Sequence, residues 1–251
     1  MFDYQAPEQL LKDKIILVTG AGDGIGKTAA LTYAQHGATV ILLGRTTKKL
    51  EAVYDIIDAK GYPQAAIVPL NLDGVSEHDF AELAKTLQNE FGRLDGILHN
   101  ASLLGERTPL ENYDTETFDQ VMKVNVSSQF MLNQALLPLL KAAPKASIVF
   151  TTSSVGRKAR AYWGAYSISK FATEGMELFG VLENYDGACL TFRPDLKENL
   201  AFADSVYNNI NTRIDKYLAE QGIDAPEEAH YTPVWEPEEE RDTLDLAGSG
   251  I

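Results

Sequence analysis

Lys14-Ile-Ile-Leu-Val-Thr-Gly-Ala-Gly-Asp-Gly-Ile-Gly-Lys27 is an apolar run that breaks into glycines and resumes as a helical pattern. The run Ile15 to Val18 is short and does not alternate, as in a strand buried on both faces of a parallel sheet. After the turn, Ile25, Ala29, Ala30, Tyr33 and Ala34 form an apolar stripe at helical spacing. Gly20, Gly24 and Gly26 let the backbone turn sharply and approach a ligand with no Cβ in the way. The unpaired amides of the helix start then face a diphosphate, whose charge the helix dipole favours. The spacing is G-x-x-x-G-x-G, not the G-x-G-x-x-G dinucleotide fingerprint, and a glycine turn between strand and helix is also a plain structural solution.

The surroundings of this turn narrow the reading. At 251 residues the chain is long enough for one α/β domain with a sizeable core. Its only cysteine, Cys189, allows no internal disulfide and reads as a buried strand residue. Met1 to Lys12 shows no basic-then-apolar leader, and no apolar run approaches the ~20 residues of a membrane span. A cytoplasmic protein without membrane partners is expected. The net charge is −14, and residues 219–251 hold ten acidic residues against one arginine, a local balance of −9. The rest of the chain carries only −5. Such acidity repels nucleic acid. His36, His78, His99 and His230 lie far apart without ligand spacing, so no metal site is expected.

Strand and helix patterns alternate along the chain. Further strands are expected at 39–43, 65–70, 94–99, 147–151 and 188–192. Helices are expected through Leu50, Val53, Ile56 and Ile57, from Ser76 to about Phe91, from Thr115 to about Lys141 and from about Trp163 to Asn184. Ser76 with Asp79 resembles a capping box. Uninterrupted alternation predicts an α/β fold, a single Rossmann-like doubly wound parallel sheet with helices on both faces. Beyond Pro194 the pattern weakens, and no seventh strand is apparent. A core at about 10–194 and an atypical C-terminal region at about 195–251 are expected within one domain, 1–251.

In such a sheet the ligand lies outside the carboxyl ends of the strands, at the topological switch point. About 20 residues after the glycines an acidic residue would accept from an adenosine ribose. Gly44 and Arg45 stand there instead, which favours a 2′-phosphate and NADP over NAD, with Lys27 as a helper. Asn71 or Asp73 could accept from the adenine amino group, and Asn100 could brace neighbouring strands, although both are also ordinary turn residues. Tyr166 and Lys170 lie four residues apart on one helix face. A phenol ordinarily titrates near pH 10, and a neighbouring cation favours its ionised form, which makes Tyr166 a usable proton donor or acceptor. Thr151-Thr152-Ser153-Ser154 closes a strand on the ligand side, where a hydroxyl could donate to a carbonyl oxygen. Asn125 is a poor helix former inside a long helix. Leu103, Leu104, Tyr162, Trp163, Phe202 and Tyr207 could line an apolar substrate pocket or simply pack the core.

Together TGAGDGIG (19–26), HNAS (99–102), Asn125, the serine strand end and YSISK (166–170) resemble the short-chain dehydrogenase/reductase family. The resemblance covers roughly residues 10–194. Within the family, ILLGR (41–45), LDGILHNA (94–101), SSVGR (153–157) and WGAYSISKFATEGM (163–176) resemble the bacterial YciK-type subgroup of oxidoreductases. The resemblance implies Tyr166 as acid/base and Lys170 as the cation that tunes it and binds the nicotinamide ribose. Ser153 would orient the carbonyl, with Ser154 as the other candidate, and Asn125 would hold a water in a proton relay. Cofactor contacts are implied for Gly20, Gly22, Asp23, Gly24, Ile25, Gly26, Gly44, Arg45, Asn71, Leu72, Asn100, Ala101, Lys170 and Pro194. The expected cofactor is NADP(H), with NAD(H) also accepted, and the expected substrate is a small carbonyl or alcohol compound. The family commonly forms dimers and tetramers, so a homodimer or homotetramer is implied.

The sequence departs from the family pattern at several points. Gly22 replaces a usual Ser, Asn71 a usual Asp, and Ser102 a usual Gly. After the sixth strand, Pro194-Asp195-Leu196-Lys197-Glu198-Asn199 lacks the family's Gly and the Thr that contacts the nicotinamide end. Two functions therefore stand: an NADP(H)-dependent reductase, or a non-catalytic NADP(H)-binding redox sensor or scaffold on the same fold.

Overall fold

In the computed structural model the opening apolar run forms β1 (Ile15–Thr19) and the segment after the glycines forms α1 (Gly24–Gln35). The structure describes residues 6–182 and 188–189, all within a backbone unit spanning residues 1–194. The alternation continues with β2 (Thr39–Gly44), α2 (Thr47–Ala59), β3 (Ala66–Pro69), α3 (Glu77–Phe91) and β4 (Gly96–His99). Next come α4 (Thr115–Met122), α5 (Ser128–Lys141), β5 (Ala146–Phe150), α6 (Gly164–Leu182) and β6 (Ala188–Cys189). All strand pairings are parallel, in the order β3-β2-β1-β4-β5-β6. The order reverses between β1 and β4, so the switch point lies beside the glycine turn, as expected from the sequence.

The unalternating strands are explained by two cores. Leu17, Ile41, Leu43, Ile97 and Ile148 face one cluster with Phe80, Leu83 and Leu87 of α3 and Leu132 and Leu136 of α5. Val18, Val40, Leu42 and Leu98 face the other, with Ala30 and Ala34 of α1 and Leu50, Val53 and Ile57 of α2. Successive strand residues point to opposite faces, so both parities must be apolar where helices cover both sides. The capping box is present: Asp79 N donates to Ser76 Oγ at 3.3 Å, and Ser76 N donates to Asp79 Oδ2 at 2.8 Å.

The helix expected from Thr115 to Lys141 is present over those bounds, with one irregular turn inside it. A π-helical turn spans Lys123–Ser127 between α4 and α5, with Asn125 at its centre and fully buried. The side chain of Asn125 bonds to Leu103 and to Ser169 of α6, and π turns of this kind are frequent at functional sites. The sixth strand is described only over Ala188–Cys189. Positions 190–192, Pro194, Phe202, Tyr207 and the question of a seventh strand lie outside the described residues.

Candidate active site

The ends of β1, β4 and β5 are tied together before any ligand is considered. Thr19 Oγ1 donates to the Leu98 carbonyl and accepts from Asn100 N at 2.9 Å and Ala101 N at 3.0 Å. Asn100 Nδ2 donates to the Thr19 carbonyl at 3.4 Å, and Thr151 Oγ1 donates to Asn100 Oδ1 at 3.3 Å. Asn100 thus joins three strand ends, the bracing position expected for it.

On this frame the glycine turn is fitted closely. Gly20 has φ +68°, and a Cβ there would come within 3.1 Å of the Ala101 Cα. A Cβ on Gly26 would lie 2.3 Å from the Gly20 carbonyl oxygen and 2.6 Å from Asn100 Nδ2. Gly26→Ala must therefore open the turn, and a loss of about 1–3 kcal/mol is expected from overpacking. A denaturant midpoint equal to that of the wild type would refute this tight fit.

Beside the turn is a cavity of about 490 Å³, lined by Gly20, Gly22, Asp23, Gly24, Ile25, Gly44, Arg45, Asn71, Leu72, Asn100 and Ala101, among others. Of the expected cofactor residues that are described, it brings together all except Gly26, which packs behind the turn, and Lys170, which belongs to α6; Pro194 lies outside the described residues. Asp23 caps α1, accepting from Gly24 N at 2.8 Å, and also accepts from Lys49 Nζ at 2.6 Å. The Lys49 ammonium, followed by the Gly24 amide, holds the Asp23 carboxyl below the usual carboxylate range. Lys49 shares the cavity wall with Arg45, whereas Lys27 is not part of that wall. In the sequence Lys49 differs from other helix cations only in standing four residues after Arg45, and its contact with Asp23 is what sets it at this site.

The second half of the site is built on β5 and α6. Lys170 is 1% exposed, and its Nζ donates to the Thr151 carbonyl at 2.7 Å. The same Nζ lies 5.5 Å from the centroid of the Tyr166 ring. Burial pushes the Lys170 ammonium down from 10.5 to about 8. Ser153 precedes a 3-10 turn at Ser154–Gly156, and its Oγ accepts from Val155 N at 3.4 Å, leaving the hydroxyl hydrogen uncommitted. Ser154 is exposed, whereas Ser153 is half-buried. Ser167 Oγ donates to the Val155 carbonyl at 2.7 Å, and Gly156 packs so closely that a Cβ there would lie 2.9 Å from the Lys170 carbonyl oxygen. These contacts lock the serine turn onto the face of α6 that carries Tyr166 and Lys170.

Asn125 is attached to the same helix. Its Oδ1 accepts from Leu103 N at 2.7 Å, and its Nδ2 donates to the Leu103 carbonyl at 2.8 Å and to Ser169 Oγ at 2.9 Å. Ser169 and Thr151 are contributors that the motif reading passed over. Their signal was their place: Ser169 is in YSISK itself, and Thr151 opens the hydroxyl run at the end of β5. Among the described residues no group of His, Cys, Asp and Glu could hold a metal ion.

The family model for short chain dehydrogenase matches residues 14–179. Over 173 residues the chain is 51% identical to the uncharacterized oxidoreductase YciK of Escherichia coli K12, covering 69% of each chain. A solved short chain dehydrogenase structure from Pseudomonas syringae is 57% identical with a TM-score of 0.71, covering 73% of this chain and 74% of that one. Another, from Escherichia coli CFT073 and complexed with NADPH, is 50% identical with a TM-score of 0.70, covering 72% of this chain and 76% of that one.

Proposed function

The chain belongs to the short-chain dehydrogenase family of oxidoreductases, and from that premise we propose that it is an NADP(H)-dependent enzyme acting on a small carbonyl or alcohol compound with an apolar body. The observation that carries this reading is the buried Lys170 ammonium, fixed on the Thr151 carbonyl 5.5 Å from the Tyr166 ring. The doubt about the nicotinamide end rested on residues 194–199, which lie outside the described residues.

The glycine turn fits a diphosphate, because Gly20, Gly22 and Gly24 line the cavity at the start of α1 and a Cβ on Gly24 would stand clear of every protein atom, in the space a ligand would use. Arg45 and Lys49 would hold the 2′-phosphate, Asn71 and Leu72 would flank the adenine, and Asn100 and Ala101 would border the diphosphate. The complex of the Escherichia coli CFT073 relative with NADPH supports that choice of cofactor. When bound, the reduced nicotinamide supplies the hydride that adds to the carbonyl carbon. Tyr166 delivers the proton to the carbonyl oxygen as negative charge develops there, and Lys170 stabilises the phenolate that remains. Ser153 donates its free hydroxyl hydrogen to the same oxygen. Asn125 acts as a positioning residue, because its carboxamide holds Leu103 and Ser169 in place. Alcohol oxidation runs the same steps in reverse.

No helix among the described residues is long and apolar enough to cross a membrane. We place the enzyme in the cytoplasm as a homodimer or homotetramer, which sedimentation of the purified chain would test.

Cofactor choice can be measured separately from turnover. Arg45→Asp should weaken NADPH binding by about 10- to 100-fold, the loss of charge-assisted bonds to a phosphate. NADH, without that phosphate, should lose far less. Lys49→Gln should act in the same direction and more weakly, because Asp23 already engages its ammonium. Equal losses for both nucleotides in calorimetric titrations would refute the assignment of the 2′-phosphate to this wall.

A further inference from the structure

The loop after β4 carries an arginine that the reaction as described does not use. Arg107 lies with its guanidinium carbon 5.7 Å from the centroid of the Trp163 ring. Trp163 in turn lies 6.0 Å, centroid to centroid, from Tyr166. The guanidinium and the phenol ring that handles the substrate's proton therefore share one aromatic neighbour.

The loop is held in this place by Tyr113. Its hydroxyl accepts from Glu106 N at 3.2 Å. Added Cβ atoms would lie 2.5 Å from the Tyr113 hydroxyl at Gly105 and 2.9 Å from its ring at Gly164, the first residue of α6. Tyr113 is thus wedged between the loop and the start of the helix that carries Tyr166, and Arg107 follows two residues after Gly105.

The electrostatics of this rim run against those of the chain. The protein carries −14 overall. Yet Arg107, Lys158 and Arg160 are all exposed and form no ion pair among the described residues. Lys158 N donates to the Ser154 carbonyl, and Trp163 N donates to the Arg160 carbonyl, so both cations belong to the turns joining the serines to α6. Glu106, beside Arg107 in sequence, does not pair with it. A guanidinium stacked on an indole keeps its in-plane donors free, and that fork matches a carboxylate.

Building on the reductase reading above, we propose that Arg107 binds the carboxylate of the substrate, so that the enzyme prefers carbonyl compounds bearing an anionic group on an apolar body. Trp163 supports the guanidinium and covers the apolar part, while the carbonyl sits at Tyr166 and Ser153. Lys158 and Arg160 raise the local concentration of such anions.

A matched pair tests this: para-carboxybenzaldehyde and benzaldehyde, reduced with NADPH by the full chain. The carboxylated aldehyde should have a kcat/KM about ten-fold higher or more, as expected for a charge-assisted bond, and the ratio should fall toward one in Arg107→Gln. Arg107→Lys should restore part of the ratio, and the preference should shrink with added salt. Calorimetric titration of para-carboxybenzyl alcohol and benzyl alcohol into wild type and Arg107→Gln, with NADPH present, reads the same preference without turnover, because the reduced cofactor takes no hydride from an alcohol. Equal use of both aldehydes, or a preference that survives Arg107→Gln, overturns the proposal. If neither aldehyde is reduced, tighter Arg107-dependent binding of the carboxylated alcohol upholds the anion site and removes the reductase reading instead. Equal binding of the two alcohols in that case overturns the anion site as well.

Discussion

Tyr166→Phe is expected to lower carbonyl reduction by about 10²- to 10⁴-fold, the usual contribution of a positioned proton donor. The substitution removes one hydroxyl and leaves the ring that packs beside Trp163 and Lys170. NADPH affinity should change little, because the cavity formed by the glycine turn, Arg45 and Asn71 does not include Tyr166. The measurement is NADPH consumption with a panel of aldehydes and ketones, beside calorimetric titration of the nucleotide. If the variant reduced the panel as fast as the wild type, Tyr166 would not be the proton donor. If it lost nucleotide binding in parallel with turnover, the tyrosine would be acting in assembly of the site.

Ser153 and Ser154 divide on the same logic. The sequence left both open, since both belong to the hydroxyl run at the end of β5. Ser153, half-buried and free to donate its hydroxyl hydrogen, is the one facing the chemistry in the proposed mechanism, whereas Ser154 is exposed.

Much of the fold was legible because parallel strands covered on both faces must be apolar at every position. Ile15 to Val18 and Thr39 to Leu43 could be placed from that property alone, and the capping box at Ser76 marked the start of α3. The π turn inside the long helix was less legible. Asn125 stood out as a poor helix former, but its partners, Leu103 and Ser169, come from 22 and 44 residues away. Such pairing has no local periodicity to reveal it. The proposed phosphate wall shows the same limit: Arg45 follows directly from a strand end, whereas Lys49 looks like any exposed helix cation until Asp23 is placed against it. Arg107 is less legible still, because its position depends on Tyr113 wedging a glycine loop against Gly164.

Lys170→Met separates the catalytic use of the buried cation from its cost to the fold. Activity should fall by about 10²- to 10⁴-fold, because Tyr166 loses the charge that favours its phenolate. Stability should respond differently. Burial lowers the ammonium from 10.5 to about 8, so at any pH between those values the unfolded chain binds more protons than the folded one. Wild-type stability, relative to Lys170→Met, should therefore rise from about pH 8 to pH 10.5 as the penalty on the buried charge is relieved. Below about pH 8 that penalty is present in full and the difference should be level. The kcat/KM of the wild type should move in the opposite direction, declining above about pH 8 as the cation is lost. Unfolding curves of the two proteins across this range, set beside the pH profile of the wild type, test both trends. A stability difference flat from pH 8 to pH 10.5 would mean that Lys170 keeps its ordinary titration in the fold. The Thr151 carbonyl would then hold a fully retained cation, and the alkaline decline in activity would need another group.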